Sequence, residues 1–96
     1  MYTQNEIEKE ILELKPILLS RFHVEKIGYF GSFARNEQKD DSDIDIIVSL
    51  GKPLGWAFFD LKDLLETKLK RRIDLVTMNA LKYQLKDIIL KEVKYL

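Results

Sequence analysis

The stretch Phe30-Gly31-Ser32-Phe33-Ala34-Arg35, with ten residues between Ser32 and the answering Asp43-Ile44-Asp45-Ile46-Ile47-Val48, decides the fold. Val24 to Phe30 reads as a strand that ends at Gly31-Ser32. Ile44, Ile46 and Val48 alternate with Asp43, Asp45 and Ile47, the period-two pattern of a second strand. Upstream, Thr3-Gln4-Asn5-Glu6 has the form of a capping box. Ile7, Ile11, Leu14 and Leu18 follow at helical spacing, with Pro16 predicting a bend or a restart. Downstream, Gly51, Pro53 and Gly55 mark a loop, and Phe58, Leu61, Leu65 and Leu69 form a second helical stripe. Arg72 to Val76 is a short third strand, and Leu81, Leu85, Ile88, Ile89 and Val93 predict a final amphipathic helix. The order helix, strand, strand, helix, strand, helix gives an α/β (α+β) class: a small mixed sheet of about three strands flanked by helices.

Ninety-six residues make one domain, spanning 1–96, with a workable core. There is no low-complexity tract, repeat or linker. Sixteen basic residues balance sixteen acidic ones. That balance speaks against coating an extended nucleic acid through bulk charge. The absence of cysteine excludes a disulfide framework, a thiol nucleophile and a Cys-ligated zinc. One histidine, His23, excludes two-histidine metal motifs. No apolar run approaches the ~20 residues of a membrane span, and no signal-like segment opens the chain. A cytoplasmic protein is expected.

The chemistry lies in the carboxylates. Asp43 and Asp45 leave one face of their strand, with Cα atoms about 6.6 Å apart. That spacing suits one hard cation or a pair of them, and two Mg²⁺ ions about 3.5–4 Å apart are what a nucleotidyl transfer uses to hold attacking and leaving oxygens in line. Asp74 lies in an apolar strand, where burial without a partner is costly. If strands two and three pair, Asp74 stands beside Asp43 and Asp45, placed to take a proton from an attacking hydroxyl. Gly31 and Ser32 allow close approach of a phosphate. A short helix starting within Phe33 to Glu37 would add free N–H groups. The blander alternative is a polar turn at Asp40-Asp41-Ser42-Asp43. The joint pattern favours metal and nucleotide.

Gly31-Ser32-Phe33-Ala34-Arg35 through Ser42-Asp43-Ile44-Asp45, with Arg72-Ile73-Asp74-Leu75-Val76, resembles the signature of the DNA polymerase β-like nucleotidyltransferases. The short length and the Phe-Gly-Ser-Phe-Ala-Arg wording resemble the minimal nucleotidyltransferase (MNT) branch. The resemblance implies that Asp43 and Asp45 bind two Mg²⁺ ions, that Asp74 binds the catalytic one, and that Gly31 and Ser32 hold the triphosphate of ATP. It also implies an antitoxin that transfers AMP to a tyrosine of a HEPN-domain toxin ribonuclease, in a hetero-oligomer with it. Two other functions stay open: neutralisation of the HEPN partner by binding alone, and nucleotidyl transfer to a small molecule or an RNA end. Many relatives carry Gly where this chain has Asn36, and Asn tolerates the same left-handed turn.

Other residues have two readings. Arg35 reaches a phosphate oxygen or pairs with Asp40/Asp41. Lys68, Lys70, Arg71 and Arg72 complement the end of a helix dipole or, less favoured, contribute to ATP or partner binding. Trp56, Phe58 and Phe59 belong to the core or the start of a helix, with Trp56 also able to line an adenine pocket or the partner interface. His23 is structural, and Lys82, Lys86, Lys91 and Lys94 form a solvated face.

Overall fold

Thr3 starts helix α1 (Gln4–Phe22) as its N-cap. Its hydroxyl accepts from the Glu6 N–H at 3.2 Å and donates to Glu6 Oε1 at 3.2 Å, so Glu6 returns to the hydroxyl of its cap. Ile7, Ile11, Leu14, Leu18 and Phe22 are buried along one stripe. Pro16 neither ends nor restarts the helix. It lies on the solvent face, where the helix bond that proline cannot make to the Leu12 carbonyl is least costly to lose. His23 closes α1 in a left-handed conformation (φ 55°), its N–H returning to the Leu18 and Leu19 carbonyls. A computed structural model describes residues 3–81 and 83–96 of the chain, so Lys82 lies outside the described residues.

Strand β1 (Val24–Phe30) runs antiparallel to β2 (Ile44–Leu50). Helix α2 (Ala57–Leu69) then crosses over to β3 (Ile73–Thr77), which pairs parallel with β2. A 3-10 turn (Met78–Ala80) leads to α3 (Tyr83–Glu92) and to β4 (Lys94–Tyr95), antiparallel on the outer edge of β1. Among the described residues the sheet is therefore mixed and has four strands, ordered β3-β2-β1-β4. The fourth strand goes beyond the three expected, because two residues are too few to show a period.

Alternation along the strands divides the sheet into two chemically distinct faces. Ile44, Ile46, Val48, Ile73, Leu75, Ile27 and Tyr29 pack with α1 and with Leu61, Leu65 and Leu69 of α2. Burying each of those leucines stabilises the fold by roughly 1.5–3 kcal/mol. Asp45 and Asp74 alternate onto the opposite face. Among the described residues, no helix is long and apolar enough to cross a membrane. The aromatic residues beyond β2 divide. Phe58 is half-buried against the core, whereas Trp56 and Phe59 are 86% and 56% exposed. The last two are not core residues but stand at the start of α2, the other place expected for them.

Candidate active site

The site is assembled by strand register. Parallel pairing places Asp45 directly opposite Asp74, and the antiparallel pair places Phe30, and hence Gly31 just after it, beside Asp45. Gly31 has φ +74°, and a Cβ there would collide with Asp45 Oδ2. Glycine is required at this position both for the left-handed turn and for the carboxylate lying on it. Asp74 is exposed rather than buried. Its partner is therefore not dictated by desolvation, as the sequence suggested, but by the register.

Asp45 is half-buried, and its pKa is pushed up to about 6. Burial is the largest cause, followed by the charge of Asp74, a hydrogen bond with Asp74 and the charge of Asp43, while Arg35 acts in the opposite sense. Carboxylates crowded so closely resist joint ionisation. A hard cation relieves that repulsion, and an all-oxygen donor set suits Mg²⁺. Among the described residues no three acidic or histidine side chains are gathered into a closed ligand set. The third expected ligand, Asp43, sits just before β2 and pairs instead with Arg72, Oδ1 to Nε at 3.2 Å. Both partners are largely solvated, so the pair is weakly held.

The Gly-Ser turn departs from expectation. Residues 31–36 form successive turns, not a short helix. Arg35 N–H donates to the Gly31 carbonyl, Asn36 N–H to Phe33 and Glu37 N–H to Ser32. Asn36 adopts the left-handed conformation expected of it, at φ 57°. Left-handed residues at 31 and 36 interrupt the helix at both ends. Gln4 Nε2 donates to the Phe33 carbonyl at 2.7 Å, which ties the turn to α1. Arg35 pairs neither with Asp40 nor with Asp41 among the described contacts. It bonds Glu37 and Glu92, which raise its pKa, Glu92 the more strongly.

Three residues take places beside the carboxylates and the Gly-Ser turn that the sequence did not assign them: Arg71 and Arg72, expected at a helix end or in ATP or partner binding, and Glu92. Arg71 lies over the Phe33 ring and donates to the carbonyls of Lys39, Asp40 and Ser42, with Nη2 at 2.7 Å from Asp40 O. It thus clamps the turn in which the Lys39 N–H donates to Ser42 Oγ at 2.9 Å, immediately before Asp43. The signal was available: aligning Asp45 with Asp74 also aligns Asp43 with Arg72 and Ser42 with Arg71. These arginines serve the acidic site more than a helix terminus. Trp56 follows the far end of β2, away from Asp45, so it does not line a pocket at the carboxylates.

The sequence model of the family described as "Polymerase beta, Nucleotidyltransferase" matches residues 12–96. Protein adenylyltransferase MntA of Thermococcus cleftensis is 42% identical over 96 residues, covering 99% of this chain and 97% of that protein. Among solved structures, a toxin-antitoxin with AMP-PNP matches with a TM-score of 0.77 at 27% identity, over 92% of this chain and 70% of that one. The toxin-antitoxin MntA-HepT matches with a TM-score of 0.69 at 25% identity, over 96% and 70% of the two chains.

Proposed function

The chain belongs to the polymerase β nucleotidyltransferase family, in its minimal branch, and on that premise we propose that it is a Mg²⁺-dependent protein adenylyltransferase. It acts as an antitoxin that transfers AMP from ATP to a tyrosine hydroxyl of a HEPN-domain toxin. The observation that carries this reading is the Asp45–Asp74 pair set against Gly31. The likeness to an MntA protein adenylyltransferase along nearly its whole length supports the protein acceptor.

In this reading Asp43, Asp45 and Asp74 would hold the two Mg²⁺ ions. When bound, the ions offset the charge of the triphosphate and of the attacking oxygen. Gly31 and Ser32 seat the β- and γ-phosphates, and Arg35 reaches a phosphate oxygen. Asp74, exposed on the open face, takes the tyrosine proton. The tyrosine oxygen then bonds to the α-phosphorus as the bond from that phosphorus to the bridging oxygen breaks, and pyrophosphate leaves. Asp43 is held only by a solvated contact with Arg72, so it would be free to hold a cation at small cost. Its position before β2 is kept by the Arg71 clamp.

The test is the intact mass of the HEPN partner after co-expression with the wild type and with an Asp43→Asn/Asp45→Asn version. A gain of one or more AMP units that the double variant loses is the expected result. The bare apolar residues Leu85 and Ile88 on α3 favour a second reading, neutralisation by binding alone. An unmodified partner that co-purifies and stays inhibited would establish that reading and overturn the first.

A further inference from the structure

Glu92, the last residue of α3, inserts its carboxylate among the donors assigned to phosphate. Its Oε1 accepts the Gly31 N–H at 2.8 Å and Arg35 Nη1 at 3.2 Å, and Oε2 lies 3.2 Å from the same Nη1. A carboxylate held by a backbone N–H and a guanidinium offers the same chemistry as a phosphate oxygen in that place. Nothing within α3 calls for an acid there. The C-terminal end of a helix carries partial negative charge, so Glu92 opposes the dipole of its own helix. Its favourable partners all lie across the site, on the Gly31–Arg35 turn.

From this geometry we infer that Glu92 is an internal competitor of the triphosphate and sets the affinity of the site for polyphosphate. The inference rests on the nucleotidyl-transfer reading for its ligand. Gly31 has one N–H, and it cannot serve Glu92 and a phosphate oxygen together. Binding therefore requires the carboxylate to swing off both donors. The elements around it permit this. Residues 84–88 of α3 are exposed, with Leu85 and Ile88 at 49% and 62%. The Glu92 side chain itself is a quarter exposed, so it has water to move into. Affinity is then the difference between phosphate and carboxylate on the same donors, rather than the full worth of the phosphate contacts.

Calorimetric titration of the full chain with inorganic tripolyphosphate and with ATP, both with Mg²⁺, tests this. Wild type, Glu92→Gln and Glu92→Ala are compared. Glu92→Ala is expected to bind both ligands about tenfold more tightly, the equivalent of one charge-assisted hydrogen bond no longer contested. Glu92→Gln falls between, because its amide oxygen still accepts from Gly31 but carries no charge for Arg35. If Glu92 merely orients Arg35, both variants bind more weakly; that result, or unchanged affinity, overturns the inference. Tighter tripolyphosphate binding with no ATP binding in any version keeps the competitor and overturns nucleotidyl transfer. Equal ATP binding in all three versions with AMP transfer intact does the reverse. Failure of every version to bind either ligand overturns both.

Discussion

Replacing Asp45 by Asn is expected to make the metal-free protein more stable while abolishing its activity. The Asp45 carboxyl titrates at about 6 in the folded chain against an ordinary 3.8, because it is half-buried and faces Asp74 and Asp43. A shift of that size corresponds to ~3 kcal/mol between the two protonation states. Partial exposure lets water and salt screen the repulsion, which reduces the realistic figure to about 1–2 kcal/mol. The sign follows from proton counting. Between the unfolded and folded values the native state binds more protons than the unfolded one, so wild-type stability falls as pH rises through that interval. Above about 6 the penalty is complete in the wild type, and a neutral Asn avoids it while still donating to Asp74. In a chain of this size the gain amounts to roughly 5–10 °C in Tm. The assay is thermal unfolding with a chelator at about pH 7.5, repeated in steps toward pH 4. The gap between variant and wild type should narrow steadily as the pH falls, as the wild type regains its proton. A variant that melts at or below the wild-type temperature at neutral pH would refute the view that these carboxylates are held together against their repulsion.

Gly31→Ala places a Cβ on Asp45 Oδ2 and forces a left-handed alanine; a loss of at least ~1–2 kcal/mol is expected in urea unfolding, together with loss of transfer. Arg71→Ala removes the donors that hold the Lys39, Asp40 and Ser42 carbonyls. It should cost about 1–2 kcal/mol and weaken Mg²⁺ binding in a direct titration, because Asp43 loses its anchored turn. Tyr29→Phe removes the hydroxyl that donates to Glu8 at 3.2 Å and should cost ~1 kcal/mol near neutral pH. The Tyr29 pKa is pushed up to about 12 by burial first and then by Glu8. The unfolded chain therefore loses this proton first, and wild-type stability falls as pH rises above ~10. The Phe variant lacks this contribution, so a fall of equal steepness in both, read from unfolding midpoints, would contradict the assignment.

What was legible in the sequence follows the range of the interactions involved. The alternation in Ile44 to Val48 is local, and so are the capping of α1 by Thr3 and the left-handed Asn36. Each was readable from a few neighbouring residues. Asp74 could be expected beside Asp45 on the single condition that strands two and three pair, and the parallel register then aligns every residue in them. The same register aligns Arg72 with Asp43, but a basic run after a helix has a sufficient local explanation, and that explanation obscured the longer-range one. The helix expected near Phe33 did not form because two left-handed residues flank it, and the Gly-Ser pattern describes a turn as well as a helix start. The final helix shows a different limit. Periodicity at Leu85 and Ile88 reports that a helix has an apolar face and says nothing of what covers it. Both residues are bare among the described residues.

The position of Glu92 has a cause in the shortest element of the fold. Strand β4 pairs Tyr95 with Gly28 and Lys94 with Tyr29, and the Leu96 N–H reaches the Ile27 carbonyl at 2.9 Å. Continuing this antiparallel register up β1 brings residue 92 opposite residue 31, which is where Glu92 bonds Gly31. Gly28 makes the register possible, because a Cβ there would lie 2.8 Å from the Lys94 carbonyl oxygen and 2.7 Å from Val93 Cγ1. A backbone oxygen cannot rotate away as a side chain can. Gly28→Ala is therefore expected to push β4 off the edge of β1 and carry Glu92 with it. The variant should be less stable in urea than the wild type yet bind tripolyphosphate more tightly, in the same direction as Glu92→Ala. Combining Gly28→Ala with Glu92→Ala should give little further tightening, since both changes free the same two donors. Lower stability with unchanged tripolyphosphate affinity would show that the carboxylate stays on Gly31 without the strand, and that β4 only covers a sheet edge.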